Sequence, residues 1–133
     1  MSAGPPTSPD PAGLPDEVVR FLQERIDSVP HLEALLIIWE SSRSWNAAGM
    51  AARLYVAEPA AQAVLQDLQR AGLATADDNG WFSFDASSEM AEVVPQVAES
   101  YRRSVIRVAT LLHNKASSPV REFARAFNLK KER

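Results

Sequence analysis

The chain has 133 residues, 46% of them hydrophobic, a length that supports one domain with a core and is short for two. It contains no cysteine, which excludes disulfides, thiolate metal sites and a cysteine nucleophile. The formal net charge of −3 conceals a division: residues 1–101 carry 5 basic and 15 acidic side chains, a balance of −10, and residues 102–133 carry 9 basic and 2 acidic ones, a balance of +7. Such opposed blocks steer association with charged partners, or neutralise each other.

Residues 1–14 hold Pro5, Pro6, Pro9 and Pro11 among Ser, Thr, Gly and Asp, a composition that buries too little apolar area to offset backbone ordering, so a disordered tail is expected. The tail has neither a basic start nor an apolar middle, so no secretory signal is read there and a cytoplasmic location is expected. Pro15, Asp16 and Glu17 suit the first turn of a helix, the acids lying at the positive end of its dipole. Val18, Val19, Leu22 and Ile26 line one face, and Pro30 is expected to end this helix. A second helix is predicted from about residue 31 to 42, with Leu32, Leu35, Leu36 and Trp39 at helical spacing. Ile37 and Ile38 widen that stripe until the helix is apolar almost all round, as in a central helix covered on several sides. The apolar run 34–39 is far below the roughly 20 residues needed to span a bilayer, so no membrane span is expected.

Asn46 is a suitable N-cap for a short helix over residues 47–54, with Met50, Ala51 and Leu54 facing inward. Residues 55–57 read as a turn, and Pro59 fits the first turn of the next helix. Ala61, Val64, Leu65 and Leu68 recur at helical spacing there, and Gly72 supplies a left-handed terminus. Leu73 then begins a strand, Asp77-Asp78-Asn79-Gly80 makes the tip of a hairpin, and Trp81-Phe82-Ser83-Phe84 returns. After Ser87 and Ser88 a short helical stretch interrupted at Pro95 leads into a longer helix ending near residue 115. Val97, Tyr101, Val105, Val108 and Leu112 form its inner stripe, and Arg102, Arg103 and Arg107 point elsewhere. The last segment, 116–133, reads as a basic amphipathic helix with Phe123 and Phe127 on one side and Arg121 and Arg125 around the rest. The expected domains are therefore a tail over 1–14, a folded body over 15–115 and this terminal helix.

The offsets of Leu54, Leu65, Leu68, Gly72 and Leu73, followed by a hairpin, carry a family likeness: residues 43–85 resemble the winged helix-turn-helix of MarR-like or ArsR-like bacterial transcription regulators. The resemblance implies a mainly α fold with a small β-hairpin as the wing and flanking helices, and a homodimer formed through the terminal helices is expected. It also implies that helix 58–69 enters the DNA major groove. The contact residues would be Glu58, Ala60, Gln62, Ala63, Gln66 and Arg70, facing either DNA or a protein. The chemistry departs from that pattern. Ala57 replaces a capping hydroxyl, Glu58 and Asp67 oppose phosphate, and Asp77 and Asp78 occupy the wing tip, whereas phosphate contacts supply most of the affinity for DNA. Gln62 and Gln66 are able to pair with adenine, and Arg102, Arg103 and Arg107 are the phosphate candidates of the folded body. Two readings follow: a DNA-binding regulator with a non-basic recognition helix, or a protein-interaction adaptor that keeps the fold without DNA. Phe123, Phe127, Arg121 and Arg125 would fold back onto the body or meet a partner, a second copy included.

Catalysis finds little support. His31 and His113 are the two histidines, and neither lies in a metal or nucleophile motif. Asp77 and Asp78 lack the alternating ligands and closing Glu of a calcium loop. The expectation is a non-enzyme with no cofactor and no metal.

Overall fold

The computed structural model describes residues 13–116. Among them the order is α1 (Asp16–Arg25), α2 (Val29–Ser41), α3 (Ala47–Leu54), α4 (Glu58–Arg70), β1 (Ala74–Ala76), β2 (Phe82–Phe84), α5 (Val94–Arg103) and α6 (Val105–Ala116). The fold is mainly helical with one two-stranded antiparallel sheet. The expected terminal helix, with Phe123, Phe127, Arg121 and Arg125, lies outside the described residues.

The arrangement is built around α2. It packs against α3, α4, β2 and α6, and Leu32, Ala34, Leu35 and Ile38 are fully buried. An apolar sequence on nearly every side suits this position, because each flank of the helix has a neighbour to bury against. Val18, Leu22 and Ile26 bring α1 into the same core, and Val94, Val97, Val108 and Leu112 bring in α5 and α6. On the other flank α3 and α4 pack together through Met50, Ala61, Leu65 and Leu68.

Polar side chains close the joints between helices. The Arg25 guanidinium donates to the Ala71 carbonyl at 2.7 Å, joining the end of α1 to the end of α4. The Lys115 ammonium, in the last turn of α6, donates to the carbonyls of Leu22 (2.9 Å) and Ile26. These contacts give side-chain donors to carbonyls at the C-terminal ends of α4 and α1, the Leu22 carbonyl accepting from the Ile26 amide as well.

Two prolines act differently from the expectation. Pro30 does not terminate the first helix: α1 ends at Arg25, and Pro30 lies in the first turn of α2, whose N-cap Ser28 accepts from the His31 amide. Pro95 likewise opens α5 rather than interrupting it. A missing N–H costs nothing in a first turn, where that group has no helical acceptor. The real break falls at Ser104, whose φ of −142° and ψ of 56° leave the helical region. This break rotates the next turn, so Val105, expected on the inner stripe, is 48% exposed and its neighbour Ile106 is 79% exposed.

The hairpin pairs Ala74 with Phe84, Thr75 with Ser83 and Ala76 with Phe82. Leu73 is buried just before the first strand rather than within it. At the tip the Gly80 amide donates to the Asp77 carbonyl at 3.4 Å, the Asp77 amide donates to the Trp81 carbonyl at 2.9 Å, and Gly80 alone takes a positive φ, +86°. That is a type I turn followed by a left-handed glycine, the three-residue hairpin loop, in which Asn79 stays at negative φ. The Asp77 carboxylate accepts from the amides of Asn79 and Trp81 and holds the turn. A further bridge lies beyond the hairpin, where Trp45 and Phe82 exchange two backbone hydrogen bonds of 2.7 Å. The segment between α2 and α3 is thereby attached to the edge of β2.

Candidate functional site

Asn46 caps α3 as its residue type implies, its side chain accepting from the Gly49 amide at 2.9 Å. The helix ends on Tyr55, which holds φ +60° and is 94% exposed. A left-handed non-glycine residue costs roughly 1–2 kcal/mol, and here it throws a large amphipathic side chain into solvent. Two residues later α4 begins with no side-chain cap on Ala57. Its outer face carries Glu58, Pro59, Ala60, Ala63 and Gln66, all exposed, and Gln62 is half-buried. Arg70 is exposed at the far end and is ion-paired with Asp67 one turn back. The face is therefore small-sided and short of cations, with one carboxylate at its start. The hairpin tip adds the exposed Asp77 and Asp78.

The predicted phosphate candidates lie elsewhere, on α5 and α6. Arg102 donates to Glu99 at 2.6 Å, and Arg103 lies 3.9 Å from the same carboxylate. The hydrogen bond from Arg102, and then its charge, hold the Glu99 carboxyl below the usual carboxylate range. Arg107 lies beside Gly13 and, with Ser100, Arg103 and Ser104, lines a cleft of about 510 Å³. These arginines do not share a surface element with α4. Closer to α3, Arg43 lies 3.9 Å and Arg53 5.5 Å from the centre of the Trp45 ring. Stacked guanidinium groups of this kind are partly committed to the ring. Neither was singled out from the sequence.

A second polar cluster sits where α1, α2 and α4 meet. His31, in the first turn of α2, places Nδ1 2.6 Å from the Ser28 hydroxyl and Nε2 2.8 Å from an Asp67 carboxylate oxygen on α4. Asp27, from the α1–α2 connection, brings its carboxylate to the same place, and one donor atom from each of Asp27, His31 and Asp67 lies within 4.8 Å of the others. The imidazole side chain is 14% exposed and that of Asp67 30%. Asp67 is 36 residues from His31, so no local motif exposes the group. The only sequence signal was a histidine three residues after a capping serine. His113, in the last turn of α6, is exposed.

No protein-family model matches the chain, and no curated protein or solved structure matches it either.

Proposed function

We propose that this chain is a winged-helix module that acts through protein contact, using the outer face of α4 and the adjoining Tyr55, with a basic segment as the kind of partner it receives. The winged-helix part of the reading is supported by the run α2, α3, α4 and hairpin, and by the Trp45–Phe82 bridge that adds a short third pairing to the sheet. The observation that carries the functional part is the character of α4: exposed Ala60 and Ala63 beside Glu58, with the single arginine of that helix engaged by Asp67. Small side chains permit close approach, and an exposed tyrosine offers contact area at low entropic cost. The acids at Glu58, Asp77 and Asp78 favour a cationic partner by complementarity.

The DNA-binding regulator reading rests on the same element order. Its cost is electrostatic. A groove-entering helix with a carboxylate first and no free cation forfeits the counterion release that supplies non-specific affinity.

A titration of the full chain with random duplex DNA at low salt separates the two. The protein reading expects no binding. Binding that falls steeply with salt and is abolished by charge reversal at Arg102, Arg103 and Arg107 returns the assignment to DNA; loss only on deletion of residues 120–133 places the DNA contact in the basic terminal segment. In parallel, an arginine-rich peptide should shift amide resonances over residues 55–66 and 77–80, and shifts confined to other residues refute the α4 face.

A further inference from the structure

We propose that Asp27, His31 and Asp67 form a binding site for a divalent transition-metal ion of the zinc class. Three donors from two separate stretches, Asp27 and His31 four residues apart at the start of α2 and Asp67 on α4, converge within 4.8 Å, at the junction that fixes α2 against α4. The donor set is one imidazole and two carboxylates. Imidazole suits zinc, cobalt or nickel, whereas calcium and magnesium prefer all-oxygen shells. Three protein ligands leave at least one coordination position to water.

The geometry needs little change to accept an ion. Zinc at about 2.0–2.1 Å from both His31 Nε2 and the Asp67 oxygen requires those atoms to stand about 3.3 Å apart. They are now at 2.8 Å, so a small rotation of the carboxylate opens the position. Ser28 provides for both forms of the ring. Its hydroxyl lies 2.6 Å from Nδ1 and is able to donate to that nitrogen while Nε2–H donates to Asp67. It also accepts from Nδ1–H when Nε2 turns its lone pair to a metal. A hydrogen bond at the far nitrogen is the usual means of orienting a ligating histidine, which makes Ser28 a positioning residue. Arg70, paired with the other oxygen of Asp67, keeps that carboxylate in place. Asp27 is exposed, which gives an ion a route from solvent.

The chain is well suited to a decisive test, since it has no cysteine and only two histidines. Cobalt(II) added to the full-length protein should give a visible d–d band that saturates and is displaced by zinc. Asp27→Asn, on the solvent side, should weaken cobalt binding at least about tenfold, His31→Gln should abolish the band, and His113→Gln should leave it unchanged. Zinc at a hundredfold excess over its dissociation constant should raise the melting temperature of the wild type by about 4 °C or more, and that of Asp27→Asn by less at the same concentration. Absence of the band, its persistence at full affinity in Asp27→Asn, or its loss in His113→Gln overturns the site. Asp27→Asn keeps the test valid if His31→Gln fails to fold.

Discussion

The phenol of Tyr101 is half-buried on α5 and donates to Glu33 of α2 at 3.0 Å. Burial, reinforced by that hydrogen bond and by the Glu33 charge, pushes its pKa up to about 12 from an ordinary 10. Because the folded value is raised, the neutral phenol favours the native state below pH 10. That contribution is lost as pH climbs from 10 through 12. Tyr101→Phe should therefore flatten the alkaline fall in stability across this window, measured by urea unfolding at stepped pH. Tyrosinate absorbance should lose the Tyr101 contribution in the same variant. Leu65 makes a different test at the same scale. It is fully buried between α4 and the rest of the core, and Leu65→Ala should cost about 2–5 kcal/mol through lost transfer energy plus the cavity left behind.

At the level of elements, the ends are set by side chains that replace missing backbone partners. Asn46→Ala removes the acceptor for the Gly49 amide and should destabilise the protein by about 1 kcal/mol. Gly80→Ala separates conformation from packing, since a Cβ there would meet nothing within 4 Å while φ is +86°. A loss of about 1–2 kcal/mol with an unchanged core expresses the left-handed penalty alone. Both residues were legible in the sequence, because a cap and a turn depend on a few neighbouring positions. The prolines were less so. Pro30 and Pro95 mark helix boundaries in either direction, and the choice between ending one helix and opening the next was made by Ser28, which caps α2, and by Val94, which is buried. The break at Ser104 had no such marker, and Val105 was misplaced as a result.

Over the whole molecule, long-range polar contacts decide how the helices are held. Lys115 reaches back 93 residues to the Leu22 carbonyl and 89 to that of Ile26. Lys115→Met keeps the apolar stem and removes the donor. A destabilisation of about 1–2 kcal/mol is expected from the loss of charged-donor hydrogen bonds at this joint, with faster amide exchange at the end of α1. The exposed ion pairs of Glu99 with Arg102 and Arg103 should contribute little, as solvent screens them. A salt series of thermal melts should consequently shift the melting temperature only slightly.

The amino-acid sequence alone determined the existence of α1 to α4 and of the hairpin, the central burial of α2, the cap at Asn46, the left-handed Gly72 and the poverty of cations along α4. Each of these follows from periodicity or from residue types within a few positions of one another. Only the tertiary structure decided that Asp67 joins Asp27, Ser28 and His31 at one junction, that Trp45 pairs with Phe82, and that Lys115 reaches the end of α1. Those relations depend on how helices cross. A crossing is chosen by the fit of many buried side chains at once, which no single stretch of sequence contains.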